Sequence, residues 1–388
     1  MNDIFEYYIL ELTAKSPVFV GSGQSIGQKD YCLLKKTDQI RFMDMEKLIG
    51  YLVDHQPEKL ELFEKFMLED PSLNKEKRFG KDGTLYTGED CRKKKWLHLF
   101  LNLIAMPVPA REKCKLYEIS NDGMFQENYT PCEIHQFMRG KQGAYIPGSS
   151  MKGILRTLLL QQLIRDNIDT LPSEENITKV SNQLIYSLHL DDIMKGISIS
   201  DSEPIPDKKM TVCRKIDKTT IMGGGKERRI PVARECVRPD TKIIFHLTID
   251  KRYFRPETFK INFEALFYKM VRAFDKEYKE YYLPKFQKIE VNCMDFEGDF
   301  LVIGGGSGYF GKNIVYTRYG FDKGLKMVSE HMKKNRIWIP EIKKVVQVNP
   351  NDYRKHGISP HMLKLTMYQD KMYHMGICDV TLERDKIE

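Results

Sequence analysis

The sequence predicts an α+β fold: two ferredoxin-like units, with a mostly helical insertion in the first half. Three observations carry this. Each half of the 388-residue chain offers strand patterns, a helix pattern and a glycine-rich turn between a strand and a helix. The stretch from about 43 to 140 is instead largely helical in period. A chain of this length implies two or three domains with ample core. The expected division is 1–205 and 206–388.

In order along the chain, 7-YYILELTAKSPVFVG-21 reads as a strand with a Pro-marked exit. Residues 30-DYCLLKK-36 read as a second strand after a glycine loop. Met45, Leu48, Ile49 and Leu52, then Leu60, Phe63 and Met67, repeat at helical spacing, and 96-WLHLFLNLI-104 adds another helix. A strand ending at Ile146 feeds a helix over 150–166, with Ile154, Leu155, Leu158, Leu159 and Leu163 along one side. Strands are expected at 196–202, 241–250 and 375–383, and helices over 262–282 and about 324–335. Residues 300–313 read as a strand running into a glycine turn. No short-period repeat is present.

Hydrophobic content of 41% with 11% aromatic residues is globular rather than disordered. The net charge of +8 favours a polyanion partner. The charge is uneven: residues 208–234 hold nine Lys/Arg against two acids, and 75–95 hold eight against four. Both segments contain glycines and lack a helical apolar period, so they read as exposed loops or an outward hairpin. Each is either a solvated basic loop or an arm along a phosphate backbone. The eight cysteines (32, 91, 114, 132, 213, 236, 293 and 378) include no C-x-x-C pair, which argues against structural zinc and fits a reducing cytosol. The opening MNDIFEYYILEL lacks the basic n-region of a signal peptide, and no apolar run is long enough to span a membrane. The expected setting is the cytoplasm, with no cofactor and no metal.

Three glycine turns invite a ligand. GSGQSIGQ (21–28) resembles G-x-G-x-x-G, but its third glycine is one place late and no good helix follows, so a tight connection between strands is the plainer reading. In GGGSGYFGKN (304–313), Gly306, Gly311 and Lys312 keep Walker spacing, yet Asn313 stands where Ser or Thr would bind magnesium. The loop still offers backbone N–H groups of the kind that cradle anions. The third is YIPGSSMKGILR (145–156). Ser149 or Ser150 can cap the helix, and Lys152 places a cation in its first turn, against the dipole. Lys152 and Arg156 lie four apart on one face. Either a phosphate binds there, with Gly148 and Gly153 keeping the approach open, or this is a plain capped core helix with a solvated lysine.

The stretch IPGSSMKGILR (146–156) resembles the I-P-G-S-S-x-K-G-x-x-R signature of the RAMP superfamily, the RNA-binding proteins of CRISPR systems. SPVFVGSG (16–23) with Asp30-Tyr31 is similar to the family's N-terminal strand and glycine loop. ISDSEPI (199–205), RECVRP (234–239) and GGGSG (304–308) resemble one subgroup, the Csm-type subunit that caps the 3′ side of the CRISPR RNA (crRNA) in type III-A effector complexes. The resemblance implies a pair of RRM-like folds and a subunit that binds crRNA, packs beside the repeating backbone subunit and aids crRNA maturation. It implies that Ser149, Ser150, Lys152 and Arg156 hold the RNA backbone, with Gly21, Ser22 and Gly23 nearby. Gly305, Gly306 and Gly308 would form a second glycine loop, joined by Lys312. The basic stretch, with Arg214, Lys226, Arg228 and Arg229, would be a thumb-like hairpin beside guide and target. Expected partners are crRNA, the other Csm subunits, target RNA and a host nuclease that trims crRNA.

Catalysis has thin support in the residues. Some members of the superfamily are metal-independent RNases using a His near a glycine loop, and His135, with Arg139 and Lys141 close in sequence, is the best candidate. His356 and His361 flank a Gly and a Pro at a spacing of five, poor for one helix face. Asp191 and Asp192 are adjacent and point apart on a helix. Asp30 and Asp201 are loop carboxylates with nothing local to recommend them. The reading is a non-catalytic binding subunit, with a crRNA-processing endoribonuclease as the alternative.

Overall fold

The computed structural model describes residues 4–34, 37–123, 133–171, 177–254, 262–286, 291, 298–332, 336–339, 344–347 and 351–385. Strand Phe5–Ala14 buries Tyr8, Leu10, Leu12 and Ala14 at every second position. It pairs antiparallel with Lys242–Asp250 on one side and Ile377–Arg384 on the other, with Leu10 opposite Phe245 and Leu382. Ile197–Ile199 and Phe300–Val302 complete a five-stranded sheet as its edges. Helices Gly148–Asp166 and Phe263–Glu277 pack together in the same core as this sheet. Asn262 caps the second through a bond from Ala265 N–H.

In chain order, strand 5–14, helix 148–166, strands 197–199 and 242–250, helix 263–277 and strand 377–384 form one split βαβ unit. Its parts come from both sides of the 205/206 boundary. The physical reason is that Phe5–Ala14 is a central strand, and both its ladder partners lie beyond residue 241. The α+β class holds, but this ferredoxin-like unit is threaded through the whole chain.

The second sheet has nine strands among the described residues. Its main path runs Gly21–Gly27, Glu133–Phe137, Glu227–Val237, Met210–Thr219, Lys115–Gly123, Gln39–Met43 and Tyr31–Leu34. Met362–Tyr368 also pairs with Met210–Thr219, and Lys371–His374 lies beyond it. The expected insertion is helical only as far as Lys113. Helices Met45–His55, Leu60–Met67, Gly88–Lys94, Leu97–Leu103 and Val108–Lys113 enclose a separate core of Leu48, Leu52, Phe63, Phe66 and Phe100. From Lys115 the chain returns to the large sheet. The helix expected at about 324–335 is Val315–Met332, broken at Gly320 (φ 72°); residues 333–335 lie outside the described residues. The strand expected to end at Ile146 is reduced to Gly143–Ala144, paired with Arg139–Gly140. The six described cysteines are free and buried, and no described helix is long and apolar enough to cross a membrane.

His374 is fully buried. Its Nδ1 lies 3.0 Å from the Met375 carbonyl, which can only accept, so Nδ1 carries the proton and Nε2 accepts from the Tyr278 hydroxyl at 2.9 Å. Burial pushes its pKa down to about 4. The unfolded chain therefore takes up this proton first, and stability falls as pH drops from about 6.5 toward about 4. One such group is worth roughly 1.4 kcal/mol per pH unit in that window. His374→Gln should flatten the acid limb of the stability curve by one proton's slope in urea titrations across the window. An unchanged slope would contradict this assignment.

Candidate nucleic-acid interface

The signature helix begins at Gly148, and neither Ser149 nor Ser150 caps it with its side chain. The cap comes from the ISDSEPI stretch: Gly148 N–H donates to Asp201 Oδ1 at 2.8 Å, and Ile146 N–H donates to Ser202 Oγ at 2.9 Å. A Cβ on Gly148 would lie 2.4 Å from the carbonyl oxygens of Ile199 and Ser200, so this glycine serves close backbone approach rather than an open path. Gly153, one turn on, has nothing within 4 Å of its Cβ position.

Lys152 Nζ donates to the Ile197 carbonyl at 2.6 Å. The cation thus finds a backbone dipole on the edge strand, which answers its placement against the helix dipole. Arg156 pairs with Asp191 at 3.0 Å on the surface, an interaction of little net energy. Removing the Lys152 ammonium should therefore cost stability: Lys152→Met is expected to lose roughly 1–2 kcal/mol in urea unfolding. No loss would mean the Ile197 contact carries no weight.

The two glycine loops meet at Phe19. Gly21 would place a Cβ 2.7 Å from the Phe19 ring, and Gly305 N–H donates to the Phe19 carbonyl at 2.8 Å. Gly21, Ser22 and Gly23 lie on a strand, not in a tight connection; it pairs with Glu133–Phe137 across a bulge, with Ser22 Oγ donating to the Gln136 carbonyl. Gly23 has φ 85° and an empty Cβ position. In the second loop Gly304 and Gly306 face inward, their Cβ positions 2.0 Å from the Phe19 carbonyl and 1.8 Å from the Met375 carbonyl. Gly308 has φ 58°. Asn313 fixes the loop's end, its Nδ2 donating to Tyr309 and Phe310 carbonyls while Oδ1 accepts from Val315 N–H. The protein's own carbonyls therefore fill the space beside Gly304 and Gly306, and those two glycines are packing positions.

Beneath this junction lies Arg234, 8% exposed. Its guanidinium sits 4.8 Å over the Phe19 ring, and Nη1 contacts Met375 Sδ at 3.2 Å. Among the described residues it forms no ion pair, and Nε has no hydrogen-bond partner. Desolvation draws its pKa down. The Cβ position of Gly305 is 3.2 Å from Nη1, so the missing side chain leaves the guanidinium uncovered there. A buried cation without a carboxylate is costly, and a phosphate is the natural complement to its planar donors. Arg234 and Phe19 were noted in the sequence only as members of RECVRP and SPVFVGSG.

Beside this lies a cleft of about 350 Å³ between the signature helix and the second glycine loop. Ser149, Ser150, Gly153 and Thr157 line one side and Gly304, Ser307 and Lys312 the other, over Ile154, Leu158 and Leu301. Gln161 Nε2 ties the helix to the loop through the Asn313 carbonyl at 2.9 Å. Ser149, Ser150, Gly304 and Lys312, far apart in sequence, thus line one cleft.

The basic segment is no flexible arm. Met210–Thr219 and Glu227–Val237 form a hairpin in the middle of the large sheet. Arg214 is 3% exposed, which removes it from any outer surface. Lys218 pairs with Glu227 at 3.3 Å and Asp217 with Lys364 at 3.0 Å. A strand paired on both sides buries its charges with partners, which a charge count along the sequence does not register. Lys208 and Lys209 are exposed ahead of the first strand, and Lys226 and Arg228 are exposed at the tip, where Ile221 N–H donates to the Lys285 carbonyl. The Arg229 backbone lies in the second strand, and its side chain is outside the described residues.

His135 Nε2 lies 3.0 Å from Glu133 Oε1, and its ring is 6.4 Å from that of Phe19. Its sequence neighbour Arg139 is turned elsewhere, bound to Glu235 and Asp207 and stacked 3.7 Å over Tyr117. The candidate aspartates hold structural positions. Asp30 accepts from Gly27 N–H, Asp201 caps the signature helix, and Asp191 and Asp192 pair with Arg156 and Lys195. Among the described residues no cluster of three His, Cys, Asp or Glu side chains is placed to hold a metal ion.

Residues 11–311 match the RAMP superfamily, and the chain belongs to it. Within that class it is similar to the CRISPR system Cms protein Csm5 of Mycobacterium tuberculosis, at 24% identity over 99% of this chain and 100% of that protein. It is also similar to Csm5 of Streptococcus thermophilus, at 26% identity over 86% of this chain and 89% of that protein. Its fold resembles a chain in the cryo-EM structure of the Csm-crRNA-target RNA ternary complex of a type III-A CRISPR-Cas system (TM-score 0.60, 17% identity, 96% of this chain and 100% of that one). It likewise resembles the crystal structure of T. onnurineus Csm5 (TM-score 0.54, 16% identity, 95% and 99%).

Proposed function

We propose that this chain is a crRNA-binding, non-catalytic subunit of a type III-A CRISPR (Csm) effector ribonucleoprotein. On this reading it sits in the cytoplasm at the 3′ side of the crRNA, beside the repeating backbone subunit, and serves crRNA maturation and complex assembly in antiviral defence. Target RNA and a host nuclease are further partners. The observation that carries the reading is Arg234, buried with no ion pair among the described residues at the point where Gly305, Phe19 and the strand of Gly21 meet. The relatives' names point the same way. Phosphates would pair with Arg234 and Lys312 and approach Ser149, Ser150, Gly153 and the backbone of the glycine loops. Such contacts read the RNA backbone and not its sequence, with affinity falling steeply with salt.

One gel tests this. Purified protein is incubated with end-labelled crRNA, in magnesium or in EDTA. A retarded, intact band in both conditions is expected; no retention at low salt would overturn the reading. The His135–Glu133 pair beside Phe19 favours one second reading, a metal-independent endoribonuclease. A discrete product formed in EDTA and abolished by His135→Ala would put that reading first.

A further inference from the structure

The helical insertion carries a small hairpin, one side of which its core does not use. Lys77–Phe79 pairs with Leu85–Thr87, with Arg78 opposite Tyr86 and Phe79 opposite Leu85. Successive residues of a strand face opposite sides, and the two sides differ. Arg78 and Tyr86 anchor the hairpin: Arg78 Nη1 donates to the Asn102 carbonyl at 2.6 Å, and Tyr86 packs against the insertion's core. The other side presents Phe79, 70% exposed, and Leu85, 44% exposed, as a cross-strand pair. The turn between them is held by Gly80 N–H on the Thr84 carbonyl and Thr84 N–H on Asp82 Oδ1.

Three lysines of this stretch have no ion-pair partner among the described residues, although Glu76 and Asp82 lie beside them in sequence. In the same basic segment Lys93, Lys94 and Lys95 are matched by Glu89, Asp90 and Glu69. Lys75, Lys77 and Lys81 are exposed and make no ion pair among the described residues. A single exposed aromatic–aliphatic pair, with exposed lysines two residues before Phe79, two residues after it and four before it in the chain, is too small and too charged for a dry protein contact. It matches what a single strand of RNA needs: a flat apolar surface for a base and cations for the flanking phosphates.

We propose that this hairpin is a second RNA contact, where a single-stranded base stacks on Phe79 and neighbouring phosphates pair with Lys75, Lys77 and Lys81. The proposal rests on the RNA-binding reading above and assigns RNA to a module that supplies none of that site's residues. The contact is sequence-tolerant, because every base offers a face to stack.

The test is fluorescence anisotropy of the full chain with a labelled oligouridylate about 15 nucleotides long, beside thermal melts. Phe79→Ala is expected to weaken binding about tenfold with an unchanged melt, and Phe79→Trp to restore or exceed the parental affinity. Replacing Lys75, Lys77 and Lys81 together by Ala should lower the slope of log affinity against log salt by about 2. If Phe79→Ala binds like the parent while Arg234→Met has lost affinity, the hairpin proposal is overturned and the main site stands. If Phe79→Ala weakens binding and Arg234→Met does not, the hairpin is supported and the Arg234 site falls.

Discussion

Gly148→Ala should destabilise the protein by roughly 3 kcal/mol, although alanine in a helix is ordinarily about 1 kcal/mol better than glycine. The reversal comes from the Ile199 and Ser200 carbonyls, 2.4 Å from where the methyl would stand. Those atoms are backbone, and the Asp201 and Ser202 bonds to Gly148 and Ile146 hold them in place. Relief would require moving the edge strand Ile197–Ile199 away from the helix. Gly153→Ala, five residues on, is the control, with no heavy atom within 4 Å. It should gain about 0.5–1 kcal/mol. Because Gly153 lines the cleft, the same variant should also bind crRNA less well if the phosphate chain passes there. Urea unfolding of both variants decides the first point. A Gly148→Ala protein as stable as the parent would mean that the 199–202 segment does not clamp the helix.

Arg234→Met is expected to separate stability from binding. In the free protein the guanidinium is buried over Phe19 and makes no ion pair among the described residues. A methionine of similar length removes a desolvated charge and keeps most of the packing, so stability should change by less than about 1 kcal/mol, in either direction. Binding should weaken about tenfold to a hundredfold, the worth of roughly 1.5–3 kcal/mol for a hydrogen-bonded charge. Gly305→Ala should act in the same direction, since its methyl would lie 3.2 Å from Nη1 and 3.0 Å from the Phe19 ring. Filter binding with crRNA and parallel unfolding curves give both quantities. Strong destabilisation with unchanged binding would make Arg234 a structural residue held by Phe19 and Met375.

The α+β class, the signature helix and the special standing of Gly21, Gly148, Gly305 and Gly306 were legible in the sequence. Period, helix ends and glycine turns are local properties, and local physics writes them directly into neighbouring residues. The purpose of those glycines was not legible. Gly148, Gly304 and Gly306 are glycine because the protein's own carbonyls crowd them, and only the fold brings Ile199, Phe19 and Met375 to those places.

The basic stretch 208–234 shows the same limit from the side of charge. Its count of lysines and arginines implied an exposed arm, yet Arg214 and Lys218 are buried in a strand paired on both sides. Glu227 answers Lys218 from across the hairpin and Lys364 answers Asp217 from a distant strand, so a count of charges along the sequence does not show which of them are paired. The threading of one ferredoxin-like unit through both halves has the same cause: the partners of Phe5–Ala14 lie more than two hundred residues away. The sequence by itself marked Phe5–Ala14, the signature helix, Lys242–Asp250, Phe263–Glu277 and Ile377–Arg384 and the family's motifs, but not the strands Gly21–Gly27, Lys115–Gly123 and those of the 208–234 stretch. The tertiary structure alone decided which motifs share a face, which cations are neutralised, and that Arg234 is buried with no ion pair among the described residues. Those facts depend on contacts between residues distant in the chain.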